Sequence, residues 1–437
     1  MRDDARGDHD ASKTEGPIDA TETHPSGVPR WSVVCVLPNL ALPEYHPDDA
    51  ADVREGVWQR GITLDTDDVV VVPPSEPRAV EAAAASPAVT ALLSAFRGEQ
   101  GEQVSPAVLM ARDDGRARRG RSWEPFVSFR NAIAMSFLLK GRAGSNDGSY
   151  QPTWSDTFDF HPTFPDARGT LSTFSPALHS FGLKPEKFHA APSPYMPRVG
   201  RRMFADRTLY TLLGSEWRRR FGEEAHDDLD GRALWRSLEH AYSALSASLK
   251  HQESVHDYGM QLGLWVTAVE VLTWPKHQHA NLPYALDLLE EFDWHSEVLK
   301  ERREVKINGK VRRELNAVQL VYLHIYRSRN DFLHGNEVNV ATFFRHVGEK
   351  PADEQPVEAE AQRSLVNLAA VVYRTALVAY LRRRYRVSGD DPVERVDEAE
   401  GEPEISALMS SIFDDWDYHQ ALEESLGIED DLSSREE

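Results

Sequence analysis

The chain has 437 residues, with 49 Lys and Arg against 71 Asp and Glu, a formal net charge of −22. That length suits two domains, and 41% hydrophobic residues suffice for substantial cores. A single cysteine, Cys35, excludes an internal disulfide framework, a Cys-rich zinc module and an iron–sulfur cluster, and fits a reducing, cytoplasmic setting. The acidity is concentrated: residues 389–437 hold 18 acidic and two basic residues, so the body of the chain is nearly neutral. The low pI therefore leaves room for a nucleic-acid partner at a local basic patch.

Residues 1–30 are charged and rich in Pro, Gly and Thr, with no apolar stretch of a signal peptide, and read as a disordered N-terminus. Trp31 to Leu37 is β-branched and apolar, ends at Pro38, and predicts a strand. Residues 68–72 predict a second, ended by Pro73-Pro74. Residues 78–97 space Val80, Ala84, Val89, Leu92, Leu93 and Phe96 helically around Pro87, which predicts one or two short helices. Residues 99–121 are charged, with a basic cluster at Arg112, Arg116, Arg118, Arg119 and Arg121. The apolar segment 126–139 suits strand or helix. Between Trp154 and Met196 aromatics and prolines dominate, and the alternation Thr157-Phe158-Asp159-Phe160-His161 predicts a strand. Residues 31–200 thus read as a mixed α/β domain, of one unit or two.

From about Met203 the sequence is helical: helices near 206–221, 231–251, 254–274 with Pro275 as its stop, and 282–292. Asn308-Gly309, flanked by Val305-Lys306-Ile307 and Lys310-Val311, predicts a hairpin. A helix over about 313–333 stops at Gly335, and another covers about 358–386. The overall class is α+β, with the mixed domain followed by an all-α bundle over 201–388. In the acidic tail, Ile405, Leu408, Met409, Ile412, Phe413 and Trp416 recur at helical spacing, which suits a short amphipathic helix. The apolar run 365–381 contains Asn367 and Arg374 and is slightly short for a bilayer, so it reads as a core helix.

The chemistry concentrates in Tyr326-Arg327-Ser328-Arg329-Asn330-Asp331-Phe332-Leu333-His334-Gly335. Asn330 and His334 are four apart and share one helix face. Arg329 is about 100° round, and its long stem lets the guanidinium swing toward that face. Arginine grips phosphate bidentately, histidine exchanges a proton with a ribose 2′-hydroxyl or a leaving 5′-oxygen, and asparagine orients either. No metal or cofactor is needed. One histidine supplies one titratable partner where the reaction wants two, so a symmetric dimer docking two motif helices is attractive. The same spacing also serves plain helix termination.

The pattern Arg329-Asn330, three residues, His334-Gly335 resembles the HEPN superfamily motif, and its surroundings resemble the ApeA-like HEPN branch. They comprise the upstream helix 262–272 (LGLWVTAVEVL) and a closing helix with Val371, Tyr373, Leu377 and Leu381. The resemblance spans roughly 230–386; Ser155-Asp156 and Phe158-Asp159-Phe160 carry a less specific likeness over 31–200. It implies a bundle of four or five helices acting as a metal-independent endoribonuclease, as a homodimer with a composite site. Such proteins include toxins and anti-phage, abortive-infection effectors that cleave tRNA or other cellular RNA, here with a phage-derived or cellular trigger sensed by the N-terminal half. By position, Arg329 holds phosphate, His334 is the acid/base and Asn330 orients. Glu270 and Arg327 are supporting candidates, Glu270 matching an acidic position on an earlier helix. Some HEPN proteins are inactive, which leaves an RNA-binding, dimerisation or scaffold module as the alternative.

Seven basic residues between Lys300 and Arg313 read as a solvated hairpin, or as an RNA-backbone contact through Lys306, Lys310, Arg312 and Arg313. His277 and His279, with His256, do not complete a metal-ligand pattern. Cys35 reads as core.

Overall fold

The computed structural model describes residues 30–37, 39–40, 42, 68–94, 96, 103, 105–114, 122–143, 157–159, 161–165, 171–175, 178–183, 206–222, 226–246, 254–277, 281–294, 296–307, 311–346, 362–388 and 418–422. The class is α+β, as the sequence predicts.

The strands β1 (Trp31–Leu37), β2 (Val69–Val72) and β3 (Ala107–Arg112) form one end of a six-stranded antiparallel sheet. β4 (His161–Pro165), β5 (Leu171–Ser175) and β6 (Leu178–Leu183) continue it in the order β2-β3-β1-β4-β5-β6. Apart from an irregularity between Val33 and Cys35, side chains alternate across β1, β2 and β3. Val33, Val70, Val72, Val108 and Met110 share a small core with Ala79 of α1 (Pro77–Ala85) and Val89 of α2 (Pro87–Leu93). Val34, Cys35, Val69, Val71 and Leu109, on the opposite face, belong to the main core. Cys35 is buried there, and its desolvation pushes the thiol far above the usual range.

β3 runs through the segment that the charge pattern had marked as a basic cluster. Its apolar residues Ala107 to Ala111 pair with β1, and Val108 to Ala111 with β2 as well. Arg112 closes the strand and binds the Asp114 carboxylate through two hydrogen bonds of 2.9 and 2.8 Å. Arg116, Arg118, Arg119 and Arg121 lie outside the described residues. The ambiguous segment 126–139 is helical, within α3 (Glu124–Ala143). Its 20 residues exceed strand length and are buried for most of their run. The strand expected over 157–161 starts only at His161, after a turn at Thr157-Phe158 that buries Phe158 against Phe137.

Helices make up the rest: α4 (Arg207–Phe221), α5 (Leu229–Ser246), α6 (Val255–His277), α7 (Leu282–Glu290), the short α8 (Glu297–Lys300), α9 (Ala317–Leu333) and α10 (Leu365–Ser388). α6 is apolar around much of its circumference, as a central helix must be, and packs on α5, α7, α9 and α10. Pro275 does not stop it; α6 runs two residues further, because a proline in the last turn sacrifices only one backbone hydrogen bond. α9 starts at Ala317, later than periodicity predicted, since residues 311–315 form β8 (Val311–Leu315) against β7 (Arg303–Ile307). This is the predicted hairpin; its turn residues 308–310 lie outside the described set. An Asn316–Gln319 capping box starts α9. Likewise α10 begins at Leu365, after β10 (Gln362–Ser364) pairs with β9 (Phe344–His346). Its residues 365–386 are long and apolar enough to cross a membrane, but 89% of the qualifying window is buried inside the fold.

Packing continues across residue 200, near which the sequence reading sets a domain boundary. α3 packs on α4, α5 and α10, and one continuous cluster runs from Val34 to Leu422. A buried ion pair binds the parts together. Asp206 caps α4 by accepting from the Leu209 amide, donates its own N–H to the Ser136 carbonyl of α3, and accepts from Arg374 Nε of α10 at 2.9 Å. Neither charged side chain exceeds 1% exposure, so each relies on the other for its solvation. Nearby, Ser237 of α5 donates to the Ala268 carbonyl of α6 and shares a hydrogen bond with Tyr373 Oη of α10. The tail helix expected around 405–416 lies outside the described residues, but Tyr418 and Leu422 are buried, with the Tyr418 ring 4.4 Å from the Arg374 guanidinium.

Candidate functional site

The Arg329–His334 motif occupies the last turn of α9, as its spacing predicts. His334 is the C-cap, and its N–H donates to the Asn330 carbonyl at 2.9 Å. Gly335 follows at φ +73°, the left-handed conformation in which glycine carries no Cβ penalty. The Gly335 N–H donates to Phe332 O and the Asn336 N–H to Asp331 O, the paired bonds of a Schellman stop. The Asn336 side chain also donates to Asp331 Oδ1 at 2.8 Å. The helix end carrying His334 is therefore rigid, while the His334 side chain is exposed.

Asn330 connects the motif. Its Oδ1 accepts from Arg329 Nη1 at 2.9 Å, and its carbonyl accepts from the His334 amide. Arg329 is half-buried, with its guanidinium 5.8 Å from the Tyr326 ring centre. Arg329 Nε is buried and lacks a hydrogen-bond partner.

α6 forms the facing wall, antiparallel to α9. Gly259, in the second turn of α6, lies against the Phe332 ring in the last turn of α9. Eleven residues along α6, Glu270 interacts electrostatically with Tyr322 and Arg329 of α9. The matching offsets, eleven residues on one helix and ten on the other, correspond to about 15 Å on each. His256, in the first turn of α6, places its ring 5.7 Å from that of Phe332 in an edge-on arrangement.

Glu270 is half-buried, and desolvation raises its carboxyl above the ordinary range; the Arg329 charge offsets part of that. Tyr322 is fully buried, its hydroxyl without a hydrogen-bond partner. Burial, followed by the Glu270 charge, raises its phenol well above the usual value. The structure thus brings Glu270 into the electrostatic field of Arg329, with Tyr322 beside both.

The other candidates lie apart from this cluster. Arg327 donates through Nη2 to the Lys306 carbonyl at 3.0 Å, pinning α9 to the hairpin. Lys306 is exposed, and Lys310 lies outside the described residues. Arg312 pairs with Glu304, and Arg313 with Asp287 and Glu290. Carboxylates thus answer two of the four proposed RNA contacts, so the local positive field is weaker than the run of basic residues implies.

Sequence reading missed Gly259, Phe332 and Tyr322 as parts of this site. His256 had been weighed only for metal binding. Phe332 and Tyr322 carry no signal of their own in the sequence, and only the pairing of α6 with α9 shows what they touch. Compared with protein-family models, curated proteins and solved structures, the chain matches none.

Proposed function

We propose that the chain is a metal-independent endoribonuclease of HEPN type. It cleaves cellular RNA, tRNA included, as a cytoplasmic toxin or anti-phage effector, with a basal activity that a trigger met by the N-terminal half raises. Arg329 binds the scissile phosphate, His334 transfers the proton and Asn330 holds both in register. The observation that carries this reading is the Arg329 Nη1–Asn330 Oδ1 hydrogen bond beside the exposed imidazole of His334, on a helix end whose backbone a Schellman stop locks. An arginine and a histidine fixed relative to one another are what phosphodiester transfer requires. The 2′-oxygen attacks phosphorus as its proton leaves. The P–O5′ bond breaks as O5′ gains a proton, giving a 2′,3′-cyclic phosphate and a 5′-hydroxyl. A homodimer through the bundle gives a second copy of the motif.

A second reading is favoured by the inward set of Arg329, whose guanidinium bonds its own neighbour and shares the field of Glu270. On this reading the bundle is an inactive RNA-binding, dimerisation or scaffold module, and the arginine is structural. End analysis of RNA incubated with the purified chain separates the two. Fragments with 5′-hydroxyl ends support the nuclease, and intact RNA in complex with the protein supports the binding module.

A further inference from the structure

Angular position on α9 decides which side chains an RNA strand passing His334 meets. Each residue turns a helix by about 100° and advances it by about 1.5 Å. Phe332 marks the side of α9 that faces α6, because its ring lies against Gly259. Counted from Phe332, His334 and Arg327 lie about 160° and about 140° round, on the side away from α6 and within about 20° of one another. Arg329 lies about 140° from His334. Arg327 is therefore the arginine that shares the face of the histidine, about 10 Å along the axis.

The charge of Arg327 is also left unanswered. On a helix its ordinary partner is Asp331, one turn further on. The Asp331 carboxylate instead accepts from the Asn336 side chain at 2.8 Å. Arg327 sends Nη2 across to the Lys306 carbonyl of β7 at 3.0 Å, which fixes the guanidinium without neutralising it. Among the described residues neither Arg327 nor the exposed Lys306 has an ion-pair partner. Arg302, Arg312 and Arg313 of the same region are each paired with a carboxylate. Positive charge thus remains where the hairpin meets the His334 face of α9. The Lys306 carbonyl takes one N–H of the guanidinium, and the others suit the two free oxygens of a phosphodiester.

We propose that Arg327 is a substrate-binding residue, which holds a backbone phosphate of the RNA strand that passes His334, next along from the scissile one. The inference rests on the ribonuclease reading and deepens it by giving the substrate a path: along the face of α9 turned away from α6, from His334 toward the β7–β8 hairpin. The separation of about 10 Å corresponds to about one to three nucleotides, since phosphates of a stacked strand are spaced about 3.4 Å along its axis and further apart when it unstacks. The contact leaves the second proton partner to the other copy in the dimer.

The test measures binding of the full chain to a fluorescein-labelled, short single-stranded RNA with 2′-O-methyl groups throughout, which cannot be cleaved, over a series of KCl concentrations. Arg327→Ala is expected to weaken binding about tenfold at low salt. It also lowers the slope of log affinity against log salt by about 0.7, the share of one phosphate contact on a single strand. Arg327→Lys keeps the charge and with it the wild-type slope. A role confined to pinning α9 to the hairpin lowers the melting temperature of both variants and leaves both slopes at the wild-type value, which overturns the inference; so does wild-type protein that fails to bind this RNA. Cleavage of unmodified RNA is followed in parallel. Cleavage by wild type together with an unaltered slope for Arg327→Ala refutes the inference and leaves the ribonuclease reading standing. The expected slope change without any cleavage supports the phosphate contact and refutes the ribonuclease.

Discussion

Gly259 and Gly263 lie one turn apart on α6 and form a matched pair for testing how α6 meets α9. A Cβ built at Gly259 falls closer than 3.0 Å to three ring atoms of Phe332, whereas one built at Gly263 has nothing within 4 Å. Helix propensity alone favours alanine over glycine by about 1 kcal/mol at each site. At Gly259 this gain meets an overpacking cost of about 1–3 kcal/mol. One of the close atoms is Cγ, which lies on the χ2 axis, so turning the ring in its plane cannot relieve the contact. Either Phe332 swings about χ1 or the helices separate. Gly263→Ala is therefore expected to stabilise by about 0.5–1 kcal/mol, and Gly259→Ala to destabilise by up to about 2 kcal/mol. Urea denaturation followed by circular dichroism reads both values. Because the strained contact sits beside the motif, Gly259→Ala also lowers RNA cleavage, while Gly263→Ala leaves it unchanged. Equal shifts of the same sign for the two variants refute the α6–α9 packing on which the site description depends.

Two further outcomes follow from buried charge. Arg374→Met leaves Asp206 buried without its counter-charge and is expected to cost about 3–5 kcal/mol, of which adding Asp206→Asn recovers a large part; a loss below about 1 kcal/mol in denaturant melts contradicts the buried pair. Glu270 has a folded-state carboxyl raised above its ordinary 4.5 by desolvation, so ionising it opposes folding: the cost is absent at lower pH and grows as pH climbs above that value. Glu270→Gln therefore gains stability relative to wild type between pH 4 and 7. A variant that loses stability over that range would show that the attraction of Arg329 for the ionised carboxylate outweighs burial.

Much of the helical half was legible because periodicity, caps and stops agree there. Gly335 closes α9 as predicted, and β7 pairs with β8 as the hairpin signal predicted. The misjudged boundaries share a cause: at Ala317 and Leu365 short strand pairings claim residues that suit a helix equally well, and pairing is not local. β3 was overlooked because charged residues surround its five apolar ones, and its strand character comes from the neighbours β1 and β2. The single continuous core was invisible for the same reason. α3 is nearly uniformly apolar, which predicts burial without saying against what; its partners α4, α5 and α10 lie up to some 250 residues away. At the site, the linear motif announced Arg329, Asn330 and His334. On the opposite wall Glu270 was named through the resemblance, whereas the places of Gly259 and His256 beside Phe332 could be found only once the two helices were packed together. The basic hairpin shows the reverse error, since a run of cations in sequence does not reveal the carboxylates of Glu304, Asp287 and Glu290 that meet Arg312 and Arg313.

The central claim is that His334 moves a proton in RNA cleavage without a metal. The most direct measurement incubates end-labelled total tRNA with wild-type protein and with His334→Ala, both in EDTA. The account predicts cleavage by wild type alone, with 2′,3′-cyclic phosphate ends. Equal cleavage by the two proteins, or RNA left intact by both, contradicts it.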